Sequence, residues 1–256
     1  MPHITGIIPA RYKSTRFPGK PLAEILGKPL IQIVYENAKK SKFINELIIA
    51  TDDERIYEVA KKFNANVVMT PSEIPTGTDR VAFVAKEINT DIVVNIQGDE
   101  PLLTADMIDS AIEPFFTEDE IDISTLAVKI KNTDDLFNPN VVKVVFDKNN
   151  FALYFSRNPI PFCRDALTKE EWLKKGEHYK HIGIYVYSKT SLLKFVNLPN
   201  SKLEELEKLE QLRALENGMK IKVVITKKDT IGVDTPNDLE KVIQIFKNKK
   251  EFSNAG

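Results

Sequence analysis

The sequence predicts an α/β protein whose parallel sheet is covered by helices on both faces. Two observations carry that prediction. Short apolar runs of strand type alternate with amphipathic helical stretches along most of the chain. The length, 256 residues of which 42 % are hydrophobic, suits one large α/β domain or two small ones. A chain of this size buries roughly 75 % of its unfolded surface.

The elements follow in order. Residues 4–9 read as a buried strand. Leu30, Ile31, Ile33, Val34 and Ala38 recur at helical spacing, so 30–40 reads as a helix. Residues 47–50 form a second strand, 54–63 a helix and 66–69 a short strand. A loop over 71–78 precedes a helix over 79–88, and 92–96 is the most continuous strand signal. Further strands are read at 124–130, 141–146, 151–155, 181–187 and 220–226. Ser201 with Glu204 is a capping box, opening a helix that Gly218 should close. Thr235 before Pro236 supplies an N-cap with proline at the first helical position. Residues 1–246 read as one domain and 247–256 as a polar tail.

Composition narrows the classes of function. The chain carries 36 Lys+Arg against 37 Asp+Glu, a net charge of −1, which argues against a nucleic-acid binder. No apolar run approaches the ~18 residues of a membrane span. The first residues run into a strand pattern without a leader signature, so a cytoplasmic protein is expected. The one cysteine, Cys163, excludes a disulfide scaffold and a multi-cysteine zinc site, and reads as inert. Arginines stand only at 11, 16, 55, 80, 157, 164 and 213. A two-pronged donor for phosphate or carboxylate calls for arginine rather than lysine. Five of the seven sit beside Gly, Pro, Ser or Asp clusters at strand ends, which suggests a polyanionic ligand.

Two motifs follow strand ends. The segment 10–20 carries four cations, two hydroxyls and a Pro-Gly turn after the first strand. Ligands of open α/β sheets bind at that position, and such a loop can wrap a triphosphate. It is neither a Walker A loop nor a GxGxxG fingerprint, and a merely basic turn is its bland alternative. Gln97-Gly98-Asp99-Glu100-Pro101 places a carboxylate at the end of the central strand. Asp234 stands just ahead of the last helix. Two aspartates brought together would repel unless a cation lay between them, which makes the pair a metal-site candidate. Thr51-Asp52-Asp53 reads better as a helix cap than as a metal motif. Gly77-Thr78-Asp79-Arg80 caps a helix and sets an arginine on its first turn, facing the phosphate side. His181, Gly183 and Tyr185 share one face of a strand.

Together these strings resemble one family, the 3-deoxy-manno-octulosonate cytidylyltransferases. The matching segments are 7–22, 50–52, 77–80, 95–101, 137–145, 152–157, 181–185, 209–213 and 232–236, in order through nearly the whole chain. The resemblance implies a three-layer α/β/α sandwich on a mostly parallel sheet, of the nucleotide-diphospho-sugar transferase type. It also implies a small dimerisation and sugar-side element within about 130–195, and a homodimer. The implied reaction is CTP plus Kdo (3-deoxy-D-manno-octulosonate) to CMP-Kdo plus pyrophosphate, with Mg²⁺, for lipopolysaccharide synthesis.

Carried over by position, Arg11, Arg16, Lys20 and Asp99 are the expected catalytic residues. Ala10, Arg11, Ser14, Arg16, Lys20, Thr78 and Arg80 are expected at CTP, and Asp99 and Asp234 at the metal. Gln97, Arg157, Arg164, His181, Tyr185, Glu210 and Gln211 are expected at the sugar acid. Residues 158–180 match least, with Phe162-Cys163 where an aromatic-Asp pair is usual. Rival readings are the same chemistry on sialic acid or an amino-substituted Kdo, a metal-dependent glycosyltransferase of similar fold, and a non-catalytic nucleotide-binding module.

Overall fold

The computed structural model describes residues 2–13, 16–118 and 120–254. They fall into two compact units, 1–109 with 230–256, and 110–229. In the first unit β1 (Ile4–Ala10) leads through a 3₁₀ turn (Lys20–Leu22) to a small hairpin, β2 (Glu24–Ile25) and β3 (Lys28–Pro29). Then come α1 (Leu30–Ala38), β4 (Glu46–Thr51), α2 (Glu54–Lys62) and β5 (Asn66–Met69). α3 (Gly77–Glu87) and β6 (Ile92–Ile96) follow. The long strands lie in the order β6-β1-β4-β5, all parallel.

That order dictates where a ligand can sit. Parallel crossovers are right-handed. The chain steps one way from β1 to β4 to β5, then back across β1 to β6. So α1 and α2 cover one face and α3 the other, and β1 and β6 flank the switch point where open sheets bind ligands. Ile7, Ile8, Val93, Val94 and Ile96 are fully buried, as strands covered on both faces require.

Caps fix the helix starts. Asp53 caps α2, its carboxylate accepting from Arg55 N at 3.0 Å. Thr76 caps α3, accepting from Asp79 N at 3.0 Å, so this helix starts before the 79 read from the sequence. Thr235 accepts from Asp238 N and donates to its carboxylate, opening the helix Pro236–Asn254. That helix runs through most of the stretch whose composition reads as a polar tail. Among the described residues no helix is long and apolar enough to cross a membrane.

The second unit holds β7 (Ile123–Lys129), β8 (Lys143–Phe146), β9 (Ala152–Ser156), β10 (Tyr179–Ser188) and β11 (Ile221–Thr226). β7 pairs parallel with β11 and antiparallel with β10; β10 pairs antiparallel with β8, and β8 antiparallel with β9. The Ser201–Glu204 capping box forms, but its helix ends at Glu207. Lys208 takes a left-handed conformation, φ 54°, and a second helix runs Gln211–Glu216. The two helices are clamped by Arg213, whose Nε and Nη2 donate to the Glu204 carboxylate at 2.7 and 2.5 Å.

One buried ion pair ties the first unit together. Arg80 on α3 is wholly buried. It donates to Asp52 Oδ2 at 2.9 Å, beyond the end of β4, and to Thr70 Oγ1, beyond the end of β5. Removing the guanidinium would leave the Asp52 carboxylate largely enclosed without its partner. Arg80→Met should therefore cost about 3 kcal/mol of stability, read as a lower urea midpoint. An unchanged midpoint would show that the pair holds nothing.

Candidate active site

β1 and β6 separate where they end. Their pairing stops at Ile7 with Asn95, while β1 continues along β4 to Ala10 with Thr51. Pro9 has no N–H to give to a ladder. The turn after β6 closes onto this point, and a Cβ at Gly98 would sit 2.9 Å from the Pro9 carbonyl oxygen. Only glycine allows that approach, which carries Asp99 in beside the cationic loop. Val233 N donates to Asp99 O at 2.8 Å and brings Asp234 to the same place.

Lys20 is the meeting point. Its Nζ donates to Asp99 Oδ2 at 2.5 Å and to Asp234 Oδ1 at 3.3 Å. Arg16 Nη2 lies 3.1 Å from Asp234 Oδ2. The Lys20 side chain is only 13 % exposed, whereas Arg16 is 60 % exposed. A cleft of about 480 Å³ opens here, lined by Arg11, Lys13, Arg16 and Lys20 and by Gln97, Gly98, Asp99 and Asp234. A cleft of that size suits a small ligand, and four cations give it an affinity for anions.

The neighbouring candidates are held more tightly. Ala10 is buried at the end of β1. Arg11 Nη1 donates to Pro75 O at 2.6 Å. Asn95 links Gln97 to α3, accepting from Gln97 Nε2 at 3.2 Å and donating to Thr78 Oγ1 at 3.3 Å. Arg80 is turned to Asp52 and Thr70. Ser14 lies outside the described residues.

The donors fit a magnesium ion in one way. Two carboxylates converge on a single cation, and among the described residues no group of three or more His, Cys, Asp or Glu could hold a metal. Magnesium is commonly held by one or two carboxylates with water and substrate phosphates making up the rest. Thr51-Asp52-Asp53 offers less, since Asp52 is paired with Arg80 and Asp53 with Arg55.

The second unit gathers a different set. His181 and Tyr185 stand with ring centroids 5.4 Å apart. Tyr185 OH donates to Gln211 Oε1 at 3.1 Å, and the buried Gln211 Nε2 has no partner among the described residues. Glu210 directly precedes Gln211 at the head of its helix. Burial pulls the His181 imidazole down to about 3. Burial, aided by the Glu210 charge, pushes the Tyr185 phenol well up. Both groups are therefore neutral near pH 7. His181 Nε2 lies 2.9 Å from Thr125 Oγ1, a residue the sequence does not single out, because a threonine inside a strand carries no signal of its own.

The two arginine candidates differ. Arg157 donates from Nε to Glu207 O at 2.6 Å and from Nη1 to Pro139 O at 3.0 Å. The buried Lys143 beside it donates to the carbonyls of Asn138, Val141 and Arg157, and burial pulls its ammonium down to about 8. These contacts knot 138–143, 157 and 207 together. Arg164 is exposed, with no hydrogen bond or ion pair among the described residues.

Known proteins share this architecture. The cytidylyltransferase family model matches residues 5–221. The 3-deoxy-manno-octulosonate cytidylyltransferase of Thermodesulfovibrio yellowstonii is 54 % identical over 242 residues, covering 91 % of this chain and 94 % of that one. Its counterpart in Geobacter sulfurreducens is 51 % identical over 249 residues, 96 % of this chain and 100 % of the other. The solved structure of CMP:2-keto-3-deoxy-manno-octonic acid synthetase complexed with CTP matches with a TM-score of 0.90 at 38 % identity. That match covers 96 % of this chain and 99 % of that one. With a fold and a sequence shared over almost its whole length, this chain belongs to the cytidylyltransferase family, as one of the 3-deoxy-manno-octulosonate cytidylyltransferases.

Proposed function

We propose that this chain transfers CMP from CTP to the anomeric 2-hydroxyl of Kdo, releasing pyrophosphate and supplying CMP-Kdo for lipopolysaccharide synthesis. The observation that carries the reading is the convergence of Asp99 and Asp234 on Lys20, in a cleft lined by Arg11, Lys13 and Arg16. The reaction joins two anions, and the hydroxyl of Kdo attacks the α-phosphorus directly. No covalent enzyme intermediate is needed. Arg16 brings a fork and Lys20 a point charge to the triphosphate, and both stabilise the charge that leaves with pyrophosphate. Arg11 and Ser14 complete the CTP side, supported from behind by Thr78 through Asn95 and by Arg80 through Asp52 and Thr70. Asp99 and Asp234 would hold Mg²⁺, which when bound screens the phosphates and makes the attacking hydroxyl more acidic.

On the second unit, His181, Tyr185, Glu210 and Gln211 take the acidic sugar. The buried, unpartnered Gln211 Nε2 supports that role, since it is a donor awaiting an acceptor. Arg164 is the better candidate for the sugar carboxylate, because Arg157 already gives its guanidinium to backbone carbonyls. The reading includes a homodimer in the cytoplasm. Phe162 and Leu167, 75 % and 90 % exposed, are apolar surface that a second copy would cover.

Pyrophosphate release from CTP and Mg²⁺ should require Kdo and should not occur with sialic acid in its place. Release with sialic acid alone would keep the chemistry and overturn the sugar assignment. Asp99→Asn and Asp234→Asn should each lower kcat by about 10² or more while leaving the thermal midpoint near that of the parent. Arg16→Lys should raise the KM for CTP, because an ammonium cannot replace the fork. Near-normal turnover of Asp99→Asn at low Mg²⁺ would remove the metal assignment.

Acid should weaken the protein through His181. An unfolded histidine takes its proton near 6.5, whereas the folded one resists it down to about 3. Between those values the unfolded chain binds more protons, so stability is lost as pH falls through that window. His181→Gln should therefore lose less stability than the parent between pH 6.5 and 4.5 in urea unfolding, by about 2 kcal/mol. Equal losses in both proteins would show that His181 ionises freely in the fold.

A further inference from the structure

Thr125 on β7 faces an irregularity in β10. The register pairs Ile182 with Leu126 and then Tyr185 with Thr125, so Gly183 and Ile184 have no partner on β7. The Thr125 hydroxyl fills that gap, fully buried. Its oxygen lies 2.7 Å from Ile184 O, 3.3 Å from Ile182 O and 2.9 Å from His181 Nε2.

A hydroxyl has one proton to give and two lone pairs with which to accept. Two of the three neighbours are carbonyl oxygens, which can only accept. The proton therefore goes to the nearer of them, Ile184 O. What remains at the oxygen can only accept, and at the imidazole this requires a proton on Nε2. Nδ1 is then the bare acceptor, and no hydrogen bond engages it among the described residues. Phe155, edge-on at 5.0 Å, and Tyr185 pack against the ring. A ring fixed in this way accepts a proton from a hydroxyl and has no positive charge to offer a carboxylate.

We propose that Thr125 is a positioning residue, holding His181 as the Nε2–H tautomer so that Nδ1 accepts a hydrogen bond from a hydroxyl of the acidic sugar. The substrate half of this inference rests on the assignment of His181 to that sugar. The threonine thereby sets what the site recognises without touching the substrate.

The chain has three histidines, His3, His178 and His181, so ¹⁵N-histidine spectra of the whole protein are simple to assign with His181→Gln. At pH 7 without substrate, two-bond ¹⁵N–¹H correlations should show a protonated Nε2 and a bare Nδ1 at His181. A proton on Nδ1, or on both nitrogens, overturns the proposal. In steady-state assays Thr125→Val should raise the KM for Kdo about tenfold, with the KM for CTP within about twofold of the parent. Thr125→Ser, which keeps the hydroxyl, should restore both the KM and the tautomer. Equal impairment of the two variants would reduce Thr125 to a packing role and overturn the proposal. If the tautomer is as stated and His181→Gln leaves the KM for Kdo unchanged, the substrate half falls together with the His181 assignment.

Discussion

Asp99 and Asp234 repel one another, and a cation between them makes their approach stable. Much of the first unit serves that meeting. The parallel order puts the ends of β1 and β6 side by side. Gly98 lets the turn close to within contact of Pro9, and the hydrogen bond from Val233 N to Asp99 O draws in a segment from the far end of the sequence. Asp234 is about half exposed, so the ion pair itself adds little stability in water. What it supplies is aim. Two carboxylates point at one site before any ligand arrives, with the Lys20 ammonium between them.

The two units use opposite electrostatics. The first concentrates formal charge in an open cleft, where arginine and lysine face solvent and carboxylates meet an ammonium. The second buries a neutral network in which His181 carries no charge, Tyr185 stays a phenol and Gln211 keeps an unused donor. Each suits its proposed ligand. A triphosphate is recognised by charge, which acts through water and tolerates imprecise contacts. A sugar is recognised by hydroxyls, and discrimination is strongest where the wrong ligand leaves a buried polar group unpaired.

How much of this is legible in the sequence depends on whether a signal is local. The parallel strands β1, β4, β5 and β6 are mainly apolar runs, and their sequence bounds fall within about a residue of those observed, whereas the two-residue strands β2 and β3 are too short to be read. Caps are local as well, and Ser201, Asp53 and Thr235 behave as their side chains dictate. The short helices Thr133–Phe137, Lys169–Lys175 and Lys189–Val196 are too brief to show a period. The break at Lys208 is a tertiary event, set by Arg213 reaching back to Glu204. Thr125 is the extreme case, since its meaning lies entirely in the bulge of another strand.

The arginines show why composition pointed the right way for an incomplete reason. Their placement at strand ends suggests a polyanion, but the fold itself uses most of their forks. Arg55 grips Asp53 with two nitrogens and stacks on Tyr12, 3.2 Å from the ring centre, steadying the start of the cationic loop. Arg80 is sealed against Asp52, Arg213 clamps Glu204 and Arg157 ties backbone carbonyls. The same planar geometry that suits a phosphate suits a carboxylate of the chain or a pair of carbonyls. Lysine makes such contacts only as a point donor, as Lys143 and Lys20 do, and brings no planar fork to them. Guanidinium nitrogens remain open on Arg11 and Arg16 in the cleft and on Arg164 in the second unit. A ligand's claim on an arginine is therefore read from which of its nitrogens the fold has left unused, and position along the sequence is only a first guide to it.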